Sequence, residues 1–143
     1  MAQTEEKVDT NLYSRQIGTF GMETMGKLIK MKILIVGMRG LGVETAKNII
    51  LAGPHEVQIY DPEKVKINDL GGNFYLTEAD VGNKNRDEAS LSQLSELNPY
   101  VHVSVMKGQL MENITKFNVI VITEVMKKEE LIEIDEICRK NKI

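Results

Sequence analysis

The most constraining feature of the sequence is a short apolar segment that runs directly into a glycine-rich turn. Residues 32–36 read Lys-Ile-Leu-Ile-Val and are followed at once by Gly-Met-Arg-Gly-Leu-Gly at 37–42. An unbroken apolar segment of this length is typical of a parallel strand that is buried on both faces. An amphipathic segment at 43–51 and a second apolar strand at 57–60 follow. This order predicts a βαβ unit.

The rest of the chain continues the alternation of helices and strands. Apolar spacing predicts three further helices, at 11–28, 86–97 and 128–140. It predicts two further strands, at 101–106 and 119–122, the last of them central in the sheet. Gly18 and Gly21 are expected to break or kink the first helix. The fold class is therefore α/β, with a Rossmann-like, doubly wound and mostly parallel sheet flanked by helices.

The two ends of the chain and one long connection stand apart from this pattern. Residues 1–11 are expected to form a flexible tail. The connection 61–85 has little regular pattern, and a connection of this length is usually functional or docked on another surface. Residues 141–143 resemble the start of another strand, so the sheet is expected to be truncated at the C-terminus.

Composition excludes several classes of protein. The chain has 143 residues, of which 42% are hydrophobic and 27% are charged, as in globular domains. Its formal net charge of −3 argues against nucleic-acid binding. The longest apolar segments are too short to cross a membrane, and no signal peptide is visible, so a cytoplasmic or nuclear location is expected. One cysteine, Cys138, and two histidines leave no disulfide, and no metal site is expected.

The glycine turn departs from the dinucleotide-binding pattern Gly-x-Gly-x-x-Gly. Gly37 and Gly42 match its first and third glycines, but Arg39 takes the middle position and the glycine is displaced to Gly40. A side chain at the middle position removes the room for a phosphate to approach the backbone. Asp61 could bind a ribose hydroxyl, or could be a turn acid before a proline. We favour a fold that kept its structural glycines and lost its ligand site.

Six segments, in this order and at fitting spacings, carry a family resemblance. They are Leu-Tyr-Ser-Arg-Gln at 12–16, Gly40–Gly53, Asp69–Leu76, Asp-Val-Gly at 80–82, Lys-Asn-Arg at 84–86 and Glu-Leu-Asn at 96–98. Together they resemble the N-terminal part of eukaryotic ubiquitin-activating enzymes, within the ThiF/MoeB-like superfamily. The resemblance identifies residues 12–143 as the N-terminal part of an incomplete, inactive ThiF-like adenylation domain.

The resemblance implies a function for the complete enzyme. That enzyme contains two adenylation halves, uses ATP and Mg²⁺ to adenylate the ubiquitin C-terminus, and passes ubiquitin to a catalytic cysteine as a thioester. The implied partners are the active half of the same polypeptide and, through the complete enzyme, ubiquitin and a ubiquitin-conjugating enzyme. A subunit of the SUMO- or NEDD8-activating enzyme remains an alternative.

Several positions differ from what the resemblance implies for an active half. Arg39 replaces the middle glycine, and Asp69 and Gly72 replace the asparagine and arginine that hold phosphates. An acid at position 69 would repel a triphosphate. Lys84 is the candidate for the lysine that contacts the α-phosphate, and residues 123–127 contain no aspartate for Mg²⁺. No cofactor and no metal are therefore expected in this chain. Its remaining site residues are interpreted as vestigial: Gly37, Arg39, Gly40, Gly42, Asp61 and Lys84.

One functional residue carries over from the resemblance. Arg15 matches the arginine that reaches across the pseudo-dimer and contacts the ATP phosphates of the active half. Judged by spacing alone, Arg15 would be a solvated helix arginine. Gln16 is expected to support the motif, and Tyr13 is expected to pack.

Three other functions remain as alternatives. A working adenylyltransferase that activates sulfur-carrier proteins would need the middle glycine, the phosphate arginine and the magnesium aspartate. An NAD-dependent oxidoreductase would need an unaltered glycine triplet and a substrate domain. A free-standing interaction module would use the fold alone.

Overall fold

A four-stranded, all-parallel sheet forms the centre of the molecule. The computed structural model describes residues 8–143. The strands are β1 (Lys32–Val36), β2 (Glu56–Tyr60), β3 (His102–Val105) and β4 (Val119–Ile122). Their order in the sheet is β3-β2-β1-β4. The predicted fold class is confirmed.

Helices cover both faces of this sheet. They are α1 (Ser14–Phe20), α2 (Met22–Leu28), α3 (Gly40–Ala52), α4 (Arg86–Ser95), α5 (Leu110–Asn113) and α6 (Lys128–Asn141). Short 3₁₀ helices occur at Ile67–Gly71, Glu78–Asp80 and Ile114–Lys116. Two of these lie in the connection between β2 and α4, for which the sequence predicts little regular structure.

The side chains of β1 divide between two hydrophobic cores, as expected for a strand buried on both faces. Ile33 and Ile35 pack in the core that contains Ile50 of α3 and Leu94 of α4. Leu34 and Val36 pack in the second core, with α5 and α6. Burying one such side chain contributes about 1.5–3 kcal/mol to stability. Because β1 is packed on both faces, it holds in place the glycine turn that directly follows it.

The position predicted for the strand at 119–122 is wrong. Within the described residues, β4 pairs with β1 alone and forms an edge of the sheet, while β1 and β2 are the inner strands. An unbroken apolar sequence indicates that both faces of a strand are buried. It carries no information on how many neighbours the strand has.

The predictions for residues 141–143 and for the glycines of the first helix also differ from the structure. Residues 141–143 form no strand, because α6 runs to Asn141 and Lys142 caps it in the left-handed conformation. Gly21, with φ of 82°, separates α1 from α2, whereas Gly18 lies inside α1 without breaking it.

Residues 1–7 of the predicted tail lie outside the described residues. Asp9 accepts hydrogen bonds from the Leu12 N–H and the Tyr100 hydroxyl.

None of the helices within residues 8–143 has the length and apolar character that a membrane span requires. In the same part of the chain, no three His, Cys, Asp or Glu residues are grouped so that they could hold a metal ion.

Candidate functional site

The glycine turn lies at the carboxyl ends of the strands, where ligands bind in open α/β sheets. Gly37 has φ of +95°, and a Cβ there would lie 2.8 Å from the Thr123 Oγ1. A Cβ at Gly42 would overlap the carbonyl oxygen of Gly37. These two glycines are therefore needed for the turn itself and for the packing of α3 against it.

The backbone of Gly72 lies against Gly40, the first residue of α3. A Cβ added at Gly40 would lie only 3.0 Å from the carbonyl oxygen of Gly72. In dinucleotide-binding folds, the N-terminus of this helix receives the pyrophosphate. In this chain, the connection between β2 and α4 lies against the same helix end.

Asp61, which follows β2, is engaged in internal hydrogen bonds. It is only 3% exposed. Its carboxylate accepts hydrogen bonds from the N–H of Met38 at 2.8 Å and from the N–H of Glu63 at 3.2 Å. It also accepts one from the Arg86 Nη1, again at 3.2 Å. These contacts favour the interpretation of Asp61 as a turn acid over that of a ribose ligand.

Arg86, the first residue of α4, is a site residue that sequence reasoning missed. Its side chain is 0% exposed. It forms ion pairs with two acids, through Nη1 with Asp61 and through Nε with Asp69 at 2.7 Å. The signal was its helical spacing: Arg86 shares a face with Ala89, Ser90 and Leu94, which are all buried. An arginine on a buried helix face needs acidic partners.

The charges in this cluster shift pKa values in opposite directions. Burial raises the pKa of Asp69, but hydrogen bonds from Arg86 and from the Lys66 N–H outweigh burial and leave that pKa lowered. Burial likewise lowers the pKa of Arg86, and its contacts with Asp69 and Asp61 reverse the shift and raise it. In the fold, Asp69 is paired with Arg86, and this ion pair weakens the predicted repulsion between Asp69 and a triphosphate. Arg86 shares its charge between Asp69 and Asp61.

Both cations singled out in the sequence form ion pairs with nearby acids. The Arg39 Nε lies 3.3 Å from the Glu124 Oε2, in an ion pair at the end of β4. The Lys84 Nζ pairs with the Asp80 Oδ1 at 2.8 Å. The hydrogen bond from Lys84, more than any other contact, lowers the pKa of Asp80 to about 2. Arg86, two residues later, is the cation that reaches Asp61.

The cleft beside the turn is acidic. It has a volume of about 460 Å³ and is lined by four carboxylic acids and by apolar side chains that include Tyr60, Leu110 and Met126. The acids are Asp61, Glu63, Glu124 and Glu130. No lysine or arginine is among the described residues that line it. Because Asp61 is paired with Arg86 and Glu124 with Arg39, the negative charge that opposes a triphosphate at this cleft is smaller than four free acids would give.

Arg15 lies at the opposite end of α3 from the glycine turn. Tyr13 is buried, and its hydroxyl accepts a hydrogen bond from the Asn98 Nδ2 at 3.0 Å. The Gln16 Nε2 donates to the Ala52 carbonyl, at the last residue of α3. These contacts confirm the packing predicted for Tyr13. They hold α1 about 20 Å from the turn, the length of a 13-residue helix.

The Arg15 side chain itself is exposed and has no ion pair or hydrogen-bond partner among residues 8–143. The structure thus brings Gly37, Gly40, Gly42 and Asp61 together and leaves Arg15 and Lys84 apart from them.

Comparison with known proteins identifies the family. The ThiF family model matches residues 13–138. The chain belongs to the ThiF family. It is 45% identical over 137 residues to ubiquitin-activating enzyme E1 2 of Arabidopsis thaliana, a match that covers 95% of this chain and 12% of the relative. Over 141 residues it is 42% identical to human ubiquitin-like modifier-activating enzyme 1, covering 98% of this chain and 13% of the relative.

The ThiF-family chain therefore spans about an eighth of the length of these curated relatives. Solved structures show the same fold at lower identity. The Escherichia coli tRNA N6-threonylcarbamoyladenosine dehydratase, TcdA, has a TM-score of 0.78 at 15% identity and covers 99% of this chain and 61% of its own. Escherichia coli MccB has a TM-score of 0.73 at 20% identity, covering 95% and 42%.

Proposed function

We propose that this ThiF-family chain is the N-terminal, non-catalytic adenylation half of a ubiquitin-activating enzyme. In this proposal, the complete enzyme adenylates the ubiquitin C-terminus with ATP and Mg²⁺ and passes ubiquitin to a catalytic cysteine as a thioester. The chain binds the active half of the same polypeptide and supplies Arg15 to its ATP phosphates. The observation that carries the proposal is the position of Arg15, exposed and about one helix length from the glycine turn of its own domain.

The chemistry of Arg15 suits this role. A guanidinium is planar and permanently charged, and it offers paired donors that match phosphate oxygens. A charge that arrives from a partner makes adenylation depend on assembly of the two halves. Because Tyr13 and Gln16, on either side of it in the motif, both contact the body of the domain, the base of α1 is held in place.

The surface around Arg15 fits a protein partner. Helix α1 has seven residues, none of them buried, and helices this short are not stable alone in water. The exposed apolar side chains of Leu12, Phe20 and Met22 lie in or beside this helix. Apolar groups concentrated at one exposed element mark an interaction site. We assign this site to the active adenylation half.

The glycine turn supports the second part of the proposal, that ATP and Mg²⁺ are bound by the active half. Gly72 lies against the first turn of α3, Arg39 is paired with Glu124, and the adjoining cleft is acidic. Each of these features opposes a phosphate at the turn. They also disfavour a nucleotide-binding adenylyltransferase of the sulfur-carrier-activating type, although the ATP complex of TcdA has the same fold at 15% identity.

A chimeric enzyme tests the proposal. Residues 1–143 replace the matching segment of the Schizosaccharomyces pombe ubiquitin-activating enzyme E1 1, which is 42% identical to this chain over 142 residues. We expect the chimera to catalyse ubiquitin-dependent ATP–pyrophosphate exchange and to form the ubiquitin thioester. The control enzyme lacks the segment altogether. A chimera that is folded and monodisperse but no more active than this control would contradict the proposal. Parallel assays with SUMO and NEDD8 test the alternative modifiers.

A further inference from the structure

We propose that Arg86 is an internal ligand beside the glycine turn, a positioning residue that holds the connection between β2 and α4 against the first residue of α3. The inference concerns this chain alone and goes beyond the proposed function. It can hold or fail whether or not Arg15 serves a partner.

Arg86 joins three separate segments through one side chain. Its Nη1 donates to Asp61 at the end of β2, and its Nε donates to Asp69 in the 3₁₀ helix Ile67–Gly71. Its backbone begins α4. All three side chains are buried, since Asp61 and Asp69 are 3% and 8% exposed and Arg86 is not exposed at all. Removing the guanidinium would leave two buried carboxylates without a counter-charge, which is strongly unfavourable.

Asp69 connects Arg86 to the residues that lie beside the glycine turn. Its carbonyl oxygen accepts hydrogen bonds from the N–H groups of Gly72 and Asn73, at 3.1 and 2.9 Å. Gly72 lies against Gly40, and the Asn73 Nδ2 donates to the Met38 carbonyl at 2.9 Å. Asp69, whose carboxylate binds Arg86, therefore also holds the backbone of Gly72, three residues later, which lies against α3.

Asp61 transmits the same contact from the other side. It accepts hydrogen bonds from both Arg86 and the Met38 N–H, so one carboxylate links the guanidinium to the glycine turn. The Arg86 carbonyl also accepts a hydrogen bond from the Ser90 hydroxyl, which in turn accepts one from Asn73. Both routes end at Met38, between Gly37 and Arg39.

The shape of the guanidinium matters as well as its charge. Nε and Nη1 bind two different carboxylates, an arrangement that a lysine ammonium on a flexible stem does not reproduce. The Arg86 Nη2 is buried and has no hydrogen-bond partner within residues 8–143. The two ion pairs of Arg86 therefore hold the cluster together, although not every N–H group of the guanidinium has a hydrogen-bond partner among the described residues.

Hydrogen exchange of the 143-residue chain tests the inference on variants Arg86→Lys and Arg86→Met. The matched control is Arg139→Met, which removes an exposed arginine paired with Asp135 at 2.7 Å. In Arg86→Lys we expect the amides of Met38, Gly72 and Asn73 to exchange about tenfold faster than in the native chain, while amides of β1 and β4 change less. The control is expected to leave all these amides unchanged.

Arg86→Lys keeps the test decisive if Arg86→Met fails to fold, and a chemical rescue adds a second readout. In Arg86→Ala, millimolar ethylguanidinium is expected to restore the protection of the Gly72 and Asn73 amides, whereas ethylammonium is not. Loss of protection shared equally by every strand, or protection at positions 38 and 72–73 that is the same in native and Arg86→Lys chains, would overturn the inference. The result is independent of enzyme activity, so it is distinguishable from the outcome of the chimera assay.

Discussion

Arg15→Ala in the chimeric enzyme is expected to slow ubiquitin-dependent ATP–pyrophosphate exchange about 100-fold or more. Loss of a single preorganised charge donor at a developing phosphate charge has an effect of this order. Because the Arg15 side chain is exposed and has no hydrogen bond or ion pair with another of residues 8–143, the variant is expected to fold as the native chain does. The measurement is exchange of labelled pyrophosphate at saturating ubiquitin.

Two further variants make the Arg15 result specific. Arg139→Ala removes another exposed arginine, on α6, and is expected to retain full activity. Arg15→Lys keeps the charge without the planar fork and is expected to fall between the native enzyme and the alanine variant. Exchange by Arg15→Ala within twofold of the native chimera would exclude a role for this residue at the phosphates.

Gly42→Ala is expected to destabilise the chain by about 3 kcal/mol, because the new methyl group would overlap the carbonyl oxygen of Gly37. Neither backbone can move away cheaply, since Gly37 follows β1 and Gly42 lies in the first turn of α3. The measurement is the free energy of unfolding from urea titration, monitored by circular dichroism.

Gly26→Ala is the matched control for this steric argument. Gly26 lies within α2, and a Cβ there would meet nothing within 4 Å. The substitution is expected to be neutral or to stabilise the chain by up to about 1 kcal/mol, because alanine favours helices more than glycine does. Equal effects of the two substitutions would refute the overlap at Gly42.

The sheet could be predicted from sequence as far as burial alone defines it. The apolar run at 32–36 and the glycine turn after it gave β1, α3 and β2 in their correct order. The strand at 119–122 has the same apolar character, yet it forms an edge. Strand neighbours depend on hydrogen-bond partners that are distant in the chain, and hydrophobic patterning does not encode them.

The candidate site was only partly predictable, for an electrostatic reason. The glycines of the turn could be predicted, because backbone conformation and close approach restrict those positions to glycine. Nothing in the sequence indicated that Arg86 pairs with Asp69, from which the fold places it at 2.7 Å. Lys84, the cation chosen from its position in the motif, instead pairs with Asp80. Charge pairing between distant segments is a property of the folded chain.

Calorimetric titration of ATP·Mg²⁺ into the purified chain tests the central claim most directly. TcdA, which has been crystallised with ATP, serves as the positive control. The account predicts no measurable binding, because Gly72 lies against the first residue of α3 and the adjoining cleft is lined by carboxylic acids. Micromolar, magnesium-dependent binding would contradict it and would show that this chain has a working nucleotide site.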